Sequence, residues 1–116
     1  MRLTCITLVV VSALAACGGA DGVGEDAVSV YKYTGSVQCT GGGLSLSAMQ
    51  GMLIAANVQV RSASCGADGM VYPRVCGGPD GRLGIFHVPA AQVPAARAAG
   101  FSPLSTLPLA GAVPCP

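Results

Sequence analysis

Charged side chains are scarce in this sequence: only 9% of its 116 residues are Asp, Glu, Lys or Arg, and the formal net charge is +1. So few basic residues do not suit a nucleic-acid-binding protein, and the acidic excess of a disordered tail is also missing. Although 52% of the residues are hydrophobic, no run of about 18 apolar residues occurs after the N-terminus, and we predict no mature transmembrane helix. The length suits one small domain.

Tryptophan is absent, and histidine occurs once, at His87. A single histidine without closely spaced cysteines argues against a zinc site, and the lack of a Cys-x-x-Cys motif argues against thiol–disulfide catalysis. The sequence also lacks the nucleophile-elbow motif that would support a Ser-His-Asp catalytic site. We therefore predict that the protein is not an enzyme and has no metal, cofactor or small-molecule ligand.

The N-terminus carries an export pattern. Arg2 starts a short positive segment, the apolar stretch 6–13 is too short to span a bilayer, and the run ends in Leu14-Ala15-Ala16-Cys17. This ending resembles the lipobox of bacterial lipoprotein precursors. The resemblance implies that residues 1–16 are a signal peptide and that Cys17 becomes a lipidated first residue, often with an additional N-linked acyl chain such as palmitate.

Two other interpretations of the leader are open: an ordinary signal peptide with an incidental cysteine, and an N-terminal helix buried in the fold. If lipid is attached, two or more acyl chains anchor a protein stably where one is marginal. Glycine, not aspartate, follows Cys17. The resemblance therefore implies a cell-envelope protein held by lipid on Cys17 in the outer membrane, facing the periplasm.

The mature chain divides into three parts. Residues 17–28 contain the lipidated N-terminus and an acidic, glycine-rich stretch that cannot bury a core, so we predict a flexible tether. Residues 29–103 have the patterns of a small folded domain. Residues 104–116 form a proline-containing C-terminal tail.

Strand and helix patterns alternate within the domain. Alternating and β-branched residues predict strands in 28–38, 58–63 and 82–88, with a possible extra strand at 70–72. Helical spacing predicts one helix from Ser45 or Ser47 to Asn57 and a second from about 92–94 to Gly100. We therefore predict an α+β domain of order β-α-β-β-α, with a three-stranded sheet and both helices on one face.

The four cysteines that follow Cys17 predict two disulfides in an exported domain. If the third strand lies between the first two, Cys39 pairs with Cys76 and Cys65 with Cys115. If the second and third strands form a hairpin at the sheet edge, Cys65 pairs with Cys76 and Cys39 with Cys115. We favour the first scheme.

Candidate reactive residues also have simpler interpretations. His87 is the one candidate base besides the carboxylates, but a strand histidine can simply face solvent. Asp68 and Asp80 could act as paired acids, yet each precedes glycine in a turn, where the carboxylate has a structural role. The run 41–43 of three glycines before a helix could cradle a phosphate, but it lacks the lysine of a P-loop.

Two further groups allow a binding or a structural interpretation. Met49 and Met52 fit a helix core better than a cofactor site. Tyr31 and Tyr33, with Arg61, could form an interaction face, although we favour the simpler explanation that the tyrosines pack along a strand.

Several runs resemble a small domain of bacterial envelope lipoproteins whose function is uncharacterised. They are Tyr33-Thr34-Gly35-Ser36-Val37-Gln38-Cys39, Cys65-Gly66-Ala67-Asp68-Gly69, Cys76-Gly77-Gly78-Pro79-Asp80-Gly81-Arg82, Ile85-Phe86-His87-Val88-Pro89-Ala90 and Ala99-Gly100-Phe101. The resemblance implies no activity. We expect a lipid-anchored structural or interaction module with a partner protein in the envelope. The alternative is an inhibitor or protective module that acts on exported enzymes through the 66–81 loop.

Overall fold

The computed structural model describes residues 26–116, so the Leu14-Ala15-Ala16-Cys17 motif, the rest of the leader and most of the tether lie outside the described residues. The described chain has the predicted α+β class. Its strands and α-helices are β1 (Ala27–Tyr33), α1 (Leu46–Ala55), β2 (Ser62–Ala67), β3 (Arg82–Pro89), α2 (Val93–Ala98), β4 (Ser102–Pro103) and β5 (Gly111–Ala112). The strands form one antiparallel sheet of order β4-β1-β3-β2-β5.

The central strand is β3, which pairs along its length with β1 on one side and β2 on the other. This order brings the segment after β1 close to the segment before β3. The structure contains two disulfides, Cys39–Cys76 and Cys65–Cys115, which is the pairing expected when the third strand lies between the first two.

Both helices pack on the same side of the sheet and share one core. Phe86 meets Phe101 edge to face, with ring centroids 5.7 Å apart, beside the buried Ala96 of α2. The other buried members of this core are Val30, Met49, Leu53, Val58 and Val88. Helix α1 begins at Ser45, whose side chain accepts a hydrogen bond from the backbone N–H of Ala48, as an N-cap does.

The prediction of three strands is wrong, because the two-residue strands β4 and β5 extend the sheet at its edges. The second strand is not 58–63 but Ser62–Ala67. Val58 is instead buried at the end of α1, where its N–H donates to Leu53. The first strand ends at Tyr33, not residue 38, because the chain turns at Gly35 with φ +79°. Residues 70–72 form no strand.

Residues 104–110, which we call the strap, cross the sheet from β4 at one edge to β5 at the other. Four strand spacings of about 4.8 Å separate these edges, and the strap connects them through a 3-10 helix, Leu104–Thr106, and a turn at 108–109. Leu83 and Ile85 are buried although they alternate with the helix-facing residues of β3. They lie on the opposite face, which the strap crosses, so the predicted tail is part of the sheet's packing.

A pair of glycines tests the packing of the strap. Gly69 and Gly77 have φ of +76° and +86°, so alanine at either costs about 1–2 kcal/mol in backbone strain. A side chain at Gly69 would also collide with the backbone of Leu109, whereas nothing lies within 4 Å at Gly77. We expect Gly69→Ala to lower the free energy of unfolding by about 1–3 kcal/mol more than Gly77→Ala, measured by urea denaturation. Equal losses would show that the strap does not pack there.

Candidate functional site

Asp68 lies directly after β2, and its side chain is only 2% exposed. Its carboxylate accepts hydrogen bonds from the Tyr33 hydroxyl at 3.0 Å, from the Met70 backbone N–H at 2.9 Å and from the Tyr72 hydroxyl. A buried charge is tolerated when donors surround it in this way. The contacts join the end of β1 to the loop that follows β2.

The pKa values of this cluster follow from its contacts. Burial alone would raise the pKa of Asp68, but the hydrogen bonds from Tyr72, Met70 and Tyr33 hold it below the usual 3.8. Burial and the bond to the carboxylate raise the pKa of the Tyr33 hydroxyl above its usual 10.0, and the bond to Asp68 raises that of Tyr72. At neutral pH the carboxylate is charged and both hydroxyls keep their protons, an arrangement suited to holding the loop.

Asp80 has separate partners at the start of β3. Its carboxylate accepts hydrogen bonds from the Ser36 hydroxyl at 2.6 Å and from the Arg82 backbone N–H at 3.0 Å, and the Arg82 Nε lies 3.8 Å away. Asp68 and Asp80 each bind the backbone N–H two residues ahead, which is the side-chain turn expected of Asp-Gly sequences.

The loop of residues 69–79 is fixed mainly by Gln38. The Gln38 side chain donates to the carbonyls of Pro73 at 2.7 Å and Pro79 at 3.0 Å, and it accepts from the Val75 N–H at 3.1 Å. Its backbone also pairs with the backbone of residues 77 and 78. The Cys39–Cys76 disulfide adds a covalent link beside these bonds. The 69–79 loop is therefore held to the rest of the domain at several points although it contains no helix or strand.

This fixed loop exposes apolar side chains to solvent. Val71 is 96% exposed, while Met70 and Val75 are each 58% exposed. Leu109 of the neighbouring strap is 68% exposed and lies beside Gly69. Exposed apolar groups collected on one ordered feature typically mark a contact surface.

The other predicted residues lie apart from this loop. His87 is exposed between Ser29 and Ser62 at the opposite end of β3 from Leu83. Arg61, whose N–H donates to the His87 carbonyl, is at that end too, so it forms no joint face with Tyr33.

The two methionines and Tyr31 take structural positions. Met49 is buried in the core and Met52 packs against it. Tyr31 packs edge to face against Tyr33, with ring centroids 5.7 Å apart.

An open groove of about 800 Å³ lies next to the glycines of the 41–43 run. Its polar lining includes Ser36 and Asp80, which bind each other. Within residues 26–116, no buried side-chain nitrogen or oxygen lacks a hydrogen-bond partner. The groove thus presents no unpaired buried polar side chain from this part of the chain to a phosphate.

Comparisons of the chain with protein-family models, curated proteins and solved structures found no match. Among the described residues, no cluster of His, Cys, Asp or Glu could hold a metal ion, and no helix is long and apolar enough to cross a membrane. The resemblance to envelope lipoproteins remains a prediction from the sequence.

Two residues whose side chains hold the 69–79 loop, Gln38 and Tyr72, were not predicted from the sequence. Gln38 carries no local pattern that would reveal its bonds to a segment 35 or more positions away. Tyr72 stands before a proline, and its sequence context suggested a turn or a short strand at 70–72 but no contact with Asp68. The two Asp-Gly signals did mark the correct turns, and they were the one available guide to the buried carboxylate.

The Asp68 cluster predicts how stability depends on pH. Asp68 has a lowered pKa in the folded state, so its contribution is present above pH 3.8 and is lost as the pH falls through the folded value. Tyr33 and Tyr72 have raised values, so their contribution is present below pH 10.0 and is lost as the pH rises further. Urea denaturation of the mature protein should show both losses. Tyr33→Phe should weaken the alkaline loss, and an unchanged profile would contradict the assignment.

Proposed function

We propose that the protein is a lipid-anchored module of the cell envelope that binds a partner protein through its 69–79 loop. The observation that carries this proposal is an exposed apolar loop fixed by Asp68, Gln38 and the Cys39–Cys76 disulfide. Isolated loops are usually mobile because few contacts hold them. Here polar and covalent contacts order a segment whose apolar side chains contribute little to the core, which favours a role in recognition.

The position of Asp26, where the described chain begins, is compatible with an anchor that leaves the 69–79 loop exposed. The carbonyl of Asp26 accepts a hydrogen bond from the Ala90 N–H, at the end of the sheet where β1 begins and β3 ends. The Asp68 cluster and the 69–79 loop lie at the other end of these strands, where Tyr33 pairs with Leu83. Because β1 has seven residues, the two ends are about 20 Å apart.

A lipid on Cys17 would then place the loop away from the membrane. Only eight residues separate Cys17 from Asp26, so this linker reaches about 30 Å when fully extended. The end of the sheet that carries Asp26 then stays within this distance of the lipid, and the loop lies about 20 Å further along the strands. This geometry leaves the loop free to extend from the bilayer surface and to contact a partner in the periplasm.

The second candidate is an inhibitor of exported enzymes, the alternative raised by the sequence. Its specific support is the same fixed loop, because a binding segment that is already ordered loses little conformational freedom when it enters a cleft. The two candidates share a contact surface and differ in the partner.

Mass spectrometry of the mature N-terminus tests the anchoring. We expect the chain to begin at Cys17 and to carry a diacylglyceryl group, with further acylation of its amine, in the outer-membrane fraction. Cys17→Ser should leave the precursor unlipidated. An unmodified Cys17 in the wild-type protein would overturn the proposed attachment.

Photocrosslinking in intact cells tests the contact surface. A photoreactive amino acid at Val71 should capture a discrete protein partner. The same residue at Ile54, which is 58% exposed on α1, is the matched control and should capture none or a different set. Identical products at both positions, or none at Val71, would count against the loop as the contact.

A further inference from the structure

We propose that the 69–79 loop enters the active-site cleft of an exported serine peptidase and that Val71 occupies its primary specificity pocket, which is small and apolar. This inference rests on the proposed function, because it names the partner class for the same loop. Val71 is the most exposed large apolar residue of the described chain at 96%. A short β-branched side chain fits a shallow pocket, whereas deep pockets select basic or aromatic residues.

The residues on either side of Val71 are held by a single anchor. The Met70 backbone N–H and the Tyr72 hydroxyl both donate to the buried carboxylate of Asp68. Between the side-chain turn at Asp68 and the hydrogen bond from the Val75 N–H to the Pro73 carbonyl, residues 70–73 form no helix, strand, turn or bend. Val71 is thus displayed between two tied neighbours on a segment that can lie along a cleft. Pre-ordered loops of this kind bind peptidases with little backbone change.

The neighbouring basic residue is less suited to the same role. Arg74 lies between Pro73 and Val75, and the Pro73 carbonyl accepts hydrogen bonds from both the Gln38 amide and the Val75 N–H. The backbone on both sides of Arg74 is therefore engaged in hydrogen bonds within the domain. No such bond engages the Val71 backbone among the contacts that the structure gives. This difference favours Val71 over Arg74 as the residue that the peptidase recognises.

The disulfides would keep the domain together if the peptidase cut the loop. Cleavage joins the serine oxygen to the Val71 carbonyl carbon, breaks the Val71–Tyr72 bond and passes the serine proton, through the peptidase histidine, to the new Tyr72 amine. Both disulfides link a cysteine before this bond to one after it. Asp68 also keeps Met70 and Tyr72 close. The amine can then attack the acyl carbon, which re-forms the peptide bond and returns the proton to serine.

Inhibition of peptidases with known pockets tests the specificity. The mature protein should inhibit an elastase-type serine peptidase about 100-fold more tightly than trypsin-type or chymotrypsin-type peptidases. Val71→Arg should transfer inhibition to the trypsin type, and Val71→Asp should abolish it. Ile54→Arg is the charge-matched control and should leave inhibition unchanged. These sites are exposed, so the variants should fold.

The outcomes separate the two proposals. No inhibition of the elastase-type peptidase, with Val71 crosslinks to an envelope partner intact, would overturn the peptidase inference and leave the proposed function standing. Loss of the Val71 crosslinks as well would overturn both. Inhibition that persists in Val71→Asp would overturn the assignment of Val71.

A second measurement tests the anchoring by Asp68. Tyr72→Phe removes one donor beside the cleaved bond, and we expect the elastase-type peptidase to accumulate the nicked form, heavier by one water, about tenfold faster than in the wild type. Tyr31→Phe removes a hydroxyl that does not bind Asp68 and should cleave at the wild-type rate. Equal rates for all three proteins would overturn the role of Asp68 in resisting cleavage.

Discussion

The position of β3 between β1 and β2 is the constraint on which the rest of the domain depends. It forms seven residue pairs with β1 and six with β2, so it orders the backbone of the whole sheet. Its alternating side chains supply Phe86 and Val88 to the helix side and Leu83 and Ile85 to the strap side. The same position brings Cys39 to Cys76 and places Asp26 and the 69–79 loop at opposite ends of the sheet.

The domain compensates in two ways for its shortage of large side chains. Only two phenylalanines are present in the sequence, and eight residues of the described chain are buried in the shared core. Each disulfide closes a long loop, of 37 or 50 residues, and in the loop-entropy account each contributes about 4 kcal/mol. Beyond the end of this core, near Tyr33, the chain is held by the buried carboxylate of Asp68, which accepts three hydrogen bonds. The loop end is therefore ordered by polar and covalent contacts more than by apolar packing.

Local sequence patterns predicted the features that depend on interactions between residues close together in the chain. The α+β class and the end of α2 before Gly100 were predicted correctly, and Ser45 is one of the two candidate caps that the sequence offered for α1. The second strand was misplaced because Val58 and Val60 alternate like a strand but pack at the end of α1. Pairing with β3 instead selects Ser62–Ala67, whose small residues carry no strand signal of their own.

The candidate site was harder to predict because its parts meet only in the fold. The Asp-Gly signals located Asp68, but its hydroxyl donor Tyr33 is 35 positions away on another strand. Strands β4 and β5 were missed for the same reason, since pairs of residues such as Ser102–Pro103 acquire strand geometry only from the neighbour they join. Non-local contacts of this kind leave no periodicity to detect.

The fixed 69–79 loop would meet one requirement of recognition, and the linker predicted from the sequence before Asp26 would meet another. A short loop with a few apolar residues buries a modest area, and area alone does not determine affinity. Most of the conformational entropy of the 69–79 loop is lost during folding, when Gln38, Asp68 and the disulfide fix it, so little remains to be lost on binding. The sequence before Asp26 has a different composition, rich in glycine, and it predicts a flexible linker. If the protein is anchored and binds as proposed, rigidity at the contact and freedom at the attachment would both favour binding through a small surface.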